Sequence, residues 1–317
     1  MVLQTPLLWL LLQSLIKMRK SNTRGLYWVS YIVPAFLVYI VFMAYPLIDS
    51  IRLSLYHGSG NLREYVGFAN YIELFTRGEL AVRYWGALKN TSFFFIIHML
   101  VQNVLGIFFS TILTNRKMRG RKIYQTIIFI PTTFAVLVTG YLWRLLLNPI
   151  WSQGLWSAVG LPSLAQPWLG MESTALLFVS FVSCWQWIGI PTMMFAAALL
   201  GISDDIYEAA EIEGANGWQV FWYIKLPLIM PVVGIVTILT FVNNFNAFDI
   251  VYAMQTANGA PAYSTDLIGT LFYRVGIAGQ HPVAIPNSGM GATIATVTFV
   301  MLATVSMLIL KRTRTKG

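Results

Sequence analysis

Charge is scarce in this chain. Only 10% of its 317 residues are Asp, Glu, Lys or Arg, against 57% hydrophobic, whereas a soluble domain carries about a quarter charged residues. An ordinary soluble domain is thereby excluded. Cysteine is almost missing: Cys184 stands alone, so no disulfide or cysteine metal site can form within the chain. His57, His98 and His281 are far apart and offer no ligand spacing, and no metal site is expected. No G-x-x-x-x-G-K-[ST] phosphate loop occurs, so any nucleotide chemistry of that kind must come from a partner. No paired carboxylates or nucleophile–base arrangement stands out, and no catalytic residue is assigned. Ten-residue alternating segments, the mark of a transmembrane barrel, are also missing.

What the chain has is apolar length. The mean hydropathy is +0.66, and apolar runs recur along it, which reads as an all-α polytopic membrane protein. Six spans are expected, at about 27–48, 90–113, 123–147, 173–200, 228–253 and 289–310, each long enough to cross a ~30 Å hydrocarbon core at ~1.5 Å per residue. Residues 1–26 then form a cytoplasmic or interfacial segment, 27–310 the transmembrane domain with a loop at 201–227, and 311–317 a tail.

The net charge of +9 does not point to nucleic acid, because the basic residues crowd beside the spans. Lys17, Arg19, Lys20 and Arg24 precede the first. Arg116, Lys117, Arg119, Arg121 and Lys122 separate the second and third, and Lys311, Arg312, Arg314 and Lys316 follow the last. All three clusters fall on one side, which is the cytoplasmic side, together with both termini. The segments 49–89, 148–172 and 254–288 are then external. Pro6 to Ile16 is apolar but precedes its basic stretch, the wrong order for a signal peptide. An interfacial helix is the favoured reading, with a seventh span as the alternative.

The most specific pattern is Glu208-Ala209-Ala210, three residues, Gly214, nine residues, then Ile224-Lys225-Leu226-Pro227. Ser203 can cap a helix here, with Asp204 and Asp205 in its first turn, and Ile202 with Tyr207 can form a hydrophobic staple. Gly214 can stop that helix in a left-handed conformation. A second short helix through Trp218 and Phe221 would lead to Leu226-Pro227, where proline starts the fifth span. On physics alone the loop could be an ordinary acidic hairpin. Five carboxylates oppose the positive-inside trend, however, and docking onto another protein would explain them.

These residues resemble the coupling loop of bacterial ABC importer permeases of the carbohydrate (maltose/glycerol-3-phosphate) type. The resemblance extends through Trp168-Leu169-Gly170, Trp185, Pro191, Leu199-Leu200 and Tyr207, and through Pro46–Leu55, Gly67-Phe68-Ala69-Asn70-Tyr71, Asn148-Pro149, Phe248-Asp249 and Tyr252. Glu213 replaces the usual Asp, and Gln255-Thr256-Ala257-Asn258-Gly259-Ala260-Pro261 replaces a tighter T-x-G-G-P turn. The resemblance implies the type I importer permease fold in a bacterial inner membrane. It also implies a carbohydrate or related polyol or acidic sugar as solute, and a coupling surface of Glu208, Ala209, Ala210, Gly214, Leu226 and Pro227. The implied partners are a second homologous permease, in a heterodimer, two ATP-binding subunits holding ATP and Mg, and a periplasmic solute-binding protein.

The fifth span holds amides and one acid. Asn243, Asn246 and Asp249 are spaced by three and should share one helix face. Phe245, Phe248 and Tyr252 add aromatic surface suited to sugar rings. Polar groups in a membrane helix face a cavity or bond to another helix, and both readings remain open. The resemblance adds Trp143, Arg144, Asn148 and Trp151 as solute-lining candidates; Arg144 could meet an anionic sugar or snorkel to the external interface, and snorkelling is the favoured reading. His98, Gln102 and Asn103 in the second span read as interhelical hydrogen bonders, and Trp185 and Trp187 as packing residues. An ion-coupled carrier is disfavoured by the absence of an internal repeat and of several embedded carboxylates.

Overall fold

The computed structural model describes residues 23–115 and 118–313. The apolar segment 6–16, Arg116, Lys117 and the last four residues lie outside this range. The chain divides at Leu53/Ser54 into two compact units. The first, as far as it is described, is α1 (Thr23–Tyr39) and α2 (Tyr45–Leu53), joined by a π-helical turn at Ile40–Ala44. Val29–Leu53 is an apolar helix of 25 residues, long enough to cross a membrane.

The second unit opens with a short hairpin, β1 (Tyr56–His57) on β2 (Glu64–Tyr65), antiparallel, followed by α3 (Ala69–Thr76). Buried Asn70 pins the hairpin, its amide donating to the Ser54 and Tyr56 carbonyls at 2.9 and 2.7 Å. Next comes a 36-residue helical run, Gly78–Leu113, made of α4 (Gly78–Ile97) and α5 (Val104–Leu113) around a π segment at His98–Asn103. It starts twelve residues before the expected position 90. Glu79 and Lys89 are exposed and Arg83 is half-buried over the Tyr263 ring, while Leu80, Ala81, Tyr84 and Ala87 turn inward at helical spacing.

The third and fourth spans are broken. Arg121–Thr133, which contains α6 (Arg121–Phe129), bends by 96° into α7 (Val136–Leu146). Pro131 has no N–H to continue the ladder, and Phe134 and Ala135 are extended, as a proline inside a helical run dictates. α8 (Pro149–Ala158) follows. α9 (Ala175–Trp187) and α10 (Gly189–Leu200) meet at 46° just before Pro191. α11 (Asp204–Ile212) leads to α12 (Gly217–Val220) and α13 (Leu226–Phe245), and Gly217–Phe245 is one 29-residue helix. The fifth span therefore ends at Phe245, not at 253. After a break at 246–248 the chain re-enters helix as α14 (Asp249–Gln255). α15 (Ile268–Tyr273) and the 26-residue α16 (Ser288–Thr313) complete the fold. Among the described residues four helices can cross a membrane by length and composition, and up to six spans result if each bent pair counts as one.

Among the described residues the core has three clusters. One joins α4, α13, α15 and α16 through Leu80, Tyr84, Phe241, Phe245, Leu271 and Met290. A second joins α4, α9 and α14 through Phe94, Val179, Val182, Val251 and Met254. The third packs Phe195 and Leu199 of α10 on Ile229 and Val236 of α13. Gly289 is required where α16 meets the hairpin, because a Cβ there would stand 1.7 Å from the Tyr56 carbonyl oxygen.

The segment between α14 and α16 is organised by one ion pair. Arg274 donates to both Asp266 oxygens at 2.7 Å, and both side chains are fully buried. Arg274 also donates to the carbonyls of Ala257 and His281, and Thr270 donates to Asp266. Burial pushes the Asp266 carboxyl up, and the Arg274 hydrogen bonds oppose that shift. Removing one partner of such a pair costs ~3–5 kcal/mol, whereas an apolar pair of similar volume is often neutral. Arg274→Met should therefore lower the melting temperature of the solubilised protein sharply, and Asp266→Leu/Arg274→Met should recover most of the loss. A double variant as unstable as the single one would contradict this reading.

Candidate functional site

At the loop between α10 and α13, α11 begins after Ser203. That residue has extended backbone but makes no side-chain cap bond; Asp204 and Asp205 lie in the first turn. Gly214 has φ +75°, which an L side chain resists. Its N–H donates to Glu211 and the Ala215 N–H donates to Ala210, at 3.0 and 2.9 Å. That doubly bonded stop is the Schellman arrangement. Glu208 and Ala209 are exposed, but Ala210 is buried, so the small-residue face divides between solvent and the protein's own interior. Ile212 and Trp218 stand out at 86% and 71% exposure, giving the loop an apolar surface beside its carboxylates.

Leu226-Pro227 does not begin a helix. The helix begins at Asn216, which forms a reciprocal capping box with Gln219, and runs on through a π turn at Phe221–Lys225 into α13. Lys225 lies 5.5 Å from the Tyr207 ring. Burial, with the Asp204 charge adding to it, pushes the Tyr207 phenol up.

The far end of this helix borders a cavity of about 300 Å³. Asn243, Asn246 and Asp249 all line it, as do Asn244 and Phe248. They do not share one helix face. Asn243 is in α13, Asn246 caps it, and Asp249 opens α14; the break, not a common face, brings them together. Asn246 donates back to the Val242 carbonyl at 2.8 Å, a local bond that competes with continued helix. Asp249 occupies the first turn of α14, where a carboxylate suits the helix dipole.

The opposite wall comes from Phe94, His98 and Gln102 of the second span, and from Ser183, Trp187 and Met194 of the fourth. His98 Nδ1 meets the Phe94 carbonyl at 2.8 Å and Nε2 meets Ser183 Oγ at 3.0 Å. A carbonyl only accepts, so Nδ1 carries the proton and Nε2 accepts from the serine. Asn103 bonds to Thr240 across helices at 3.1 Å. Gln102 Oε1 and Asn244 Nδ2 are buried without a protein partner among the described residues. Two unpaired polar atoms on the rim of one cavity provide a donor and an acceptor for a polar occupant. His98 and Asn103 thus bond across helices as expected; that His98 and Gln102 also face a cavity was not expected, although the spacing of 94, 98 and 102 by four was visible.

The remaining candidates separate. Arg144 and Tyr252 line a different, polar cleft with Tyr141 and Tyr273. Trp143 packs edge-on against Trp185, centroids 5.4 Å apart, beside the second core cluster. Asn148 accepts from the Ile150 N–H at 2.9 Å and opens α8. Trp151 is exposed on α8. None of these three lines either cavity.

The chain is a many-spanned helical protein in which one helix joins an exposed loop to a cavity with several amides, an arrangement that fits the membrane subunit of a transport system. Residues 102–314 match the family described as the binding-protein-dependent transport system inner membrane component, and the chain belongs to that family. The family consists of transporter components, not enzymes. The lactose transport system permease protein LacF of Rhizobium radiobacter is 28% identical over 280 residues, covering 88% of this chain and 91% of that protein. The trehalose/maltose transport system permease protein MalF of Thermococcus litoralis is 28% identical over 284 residues, with 88% and 91% covered. A bacterial ABC transporter involved in the import of the acidic polysaccharide alginate contains a chain that superposes with a TM-score of 0.79. That match covers 95% of this chain and 99% of that one at 20% identity, a likeness of fold.

Proposed function

We propose that this chain is the permease subunit of an ATP-driven carbohydrate importer, with the loop 201–227 cytoplasmic and the 254–288 segment external. The relatives' names speak of lactose, trehalose/maltose and arabinooligosaccharides, and the aromatic and amide lining of the Asn243–Asp249 cavity suits a sugar. The observation that carries the reading is the continuous helix from Gly217 to Phe245, which joins the exposed loop to the cavity. The chain pairs with a second permease and docks on two ATPase subunits that hold ATP and Mg. It receives solute from an external binding protein.

In this mechanism the ATPase subunits hold the α11–Gly214 surface, through Glu208, Ala209 and the exposed Ile212 and Trp218. When they close on ATP, the loop moves, and the helix that starts at Asn216 carries the movement to the cavity. Hydroxyls of the sugar then exchange bonds with Asn243, Asn246 and Asp249, and Phe248 offers a ring face.

Gly214 has open space around its α-carbon, so a small side chain there costs only backbone strain of ~1 kcal/mol, while a large one projects into the docking surface. In the reconstituted complex, Gly214→Ala should keep most uptake. Gly214→Arg should abolish it and uncouple ATP hydrolysis from the binding protein. Uptake that follows an ion gradient without ATP would refute the reading. For the cavity, Asn243→Ala and Asn246→Ala should each lower uptake about tenfold, the equivalent of one lost hydrogen bond, with assembly intact by size-exclusion chromatography. Unchanged uptake in both variants would remove these residues from the solute path.

A further inference from the structure

Tyr141, Arg144, Tyr252, Thr256, Asn258 and Gln280 line a cleft of about 230 Å³ that is distinct from the Asn243–Asp249 cavity. Arg144 is exposed in it and is the one charged side chain of its lining. Among the described residues no hydrogen-bond or ion-pair partner faces its guanidinium. The cleft floor is fixed, because the Ala257 carbonyl is held at 2.9 Å by buried Arg274. Thr256 stands at φ +64°, a conformation that a β-branched residue rarely adopts. Thr256 and Asn258 come from the stretch Gln255–Pro261.

The cleft and the cavity share a wall. Phe248, which borders the cavity, lies 5.2 Å from the Tyr252 ring and 5.0 Å from the Tyr273 ring. Tyr252 and Tyr273 border the cleft on the other side, with centroids 6.0 Å apart. Three aromatic rings thus stand between the cleft, whose lining is mostly polar, and the cavity, whose lining is mostly apolar around its amides.

We infer that the cleft is an outer saccharide subsite, separate from the Asn243–Asp249 cavity. Arg144 donates its planar fork of N–H groups to acceptor oxygens of the sugar, hydroxyl or carboxylate, and a tyrosine carries a ring face. The amides of Asn258 and Gln280 and the phenol of Tyr141 complete a donor-rich rim. The Phe248–Tyr252–Tyr273 cluster passes the sugar inward, one apolar face at a time. This inference rests on the carbohydrate reading above.

Saturation-transfer NMR on the nanodisc-embedded complex, without binding protein, tests it with maltotriose and trigalacturonate as separate probes. At least one probe should contact the wild-type complex, and Arg144→Met should weaken that contact about tenfold, the scale of one charge-assisted hydrogen bond. Arg144→Gln keeps a donor but no charge. Retained contact with that variant marks hydroxyl recognition and lost contact marks carboxylate recognition, both within the inference. Asn243→Ala/Asn246→Ala should leave a residual contact at the outer subsite. If Arg144→Met changes nothing while the asparagine double variant abolishes contact, the outer subsite is refuted and the inner cavity stands. If neither probe contacts the wild-type complex, both fall.

Discussion

The helix from Gly217 to Phe245 passes Pro227 and Pro231 without ending. A proline removes one N–H from the ladder and crowds the carbonyl a turn before it, so continuity here needs a local adjustment. The π turn at Phe221–Lys225 supplies it: the Leu226 N–H reaches back to the Phe221 carbonyl, widening the helix just ahead of Pro227. Ile229 and Val236 then lock the helix against Phe195 and Leu199, and Phe241 and Phe245 lock its far end into the largest cluster. An element anchored in two cores moves as a rod or not at all. On the proposed mechanism the loop at one end and the cavity at the other then act as one mechanical object.

The cavity end needs a fixed frame against which that rod can act. The buried Asp266–Arg274 pair supplies it, tying together the carbonyls of Ala257 and His281 and the start of α15. Below it, Gly140 of α7 lies so close to Ala253 of α14 that a Cβ would come within 2.4 Å. The broken third span and the segment after the fifth are thereby clamped to each other. The polar cleft and the cavity open on either side of this clamped region, with aromatic rings between them.

Much of this was legible in the residues. Apolar length gave the spans, and the Glu208–Pro227 pattern located a helix that Gly214 does stop with positive φ. What was misread has physical causes. Pro227 looked like a helix start because proline is favoured there, but Asn216 and Gln219 form the better cap and the π turn absorbs the proline. Asn243, Asn246 and Asp249 looked like one face because a spacing of three implies a helix. A break between helices at Asn246 brings them together by another route. Asp266 and Arg274 were overlooked although they are the only Asp, Glu, Lys or Arg residues between 254 and 288. A lone pair of opposite charges in an uncharged stretch is itself a signal of burial. The polar wall of Gln102 and Asn244 depends on which helices face each other, which no single segment records.

The central claim is that the Gly217–Phe245 helix transmits motion as a rigid rod. Spin labels at Tyr223→Cys and Leu239→Cys, in a Cys184→Ser background, flank both prolines at about 24 Å for 16 residues of α-helix. Double electron–electron resonance on the assembled complex, at rest and with ATP trapped, measures that distance directly. The account predicts one narrow distribution, unchanged between the two states. A distribution that shifts or broadens on ATP binding would show that the helix bends at its prolines, and would contradict the account.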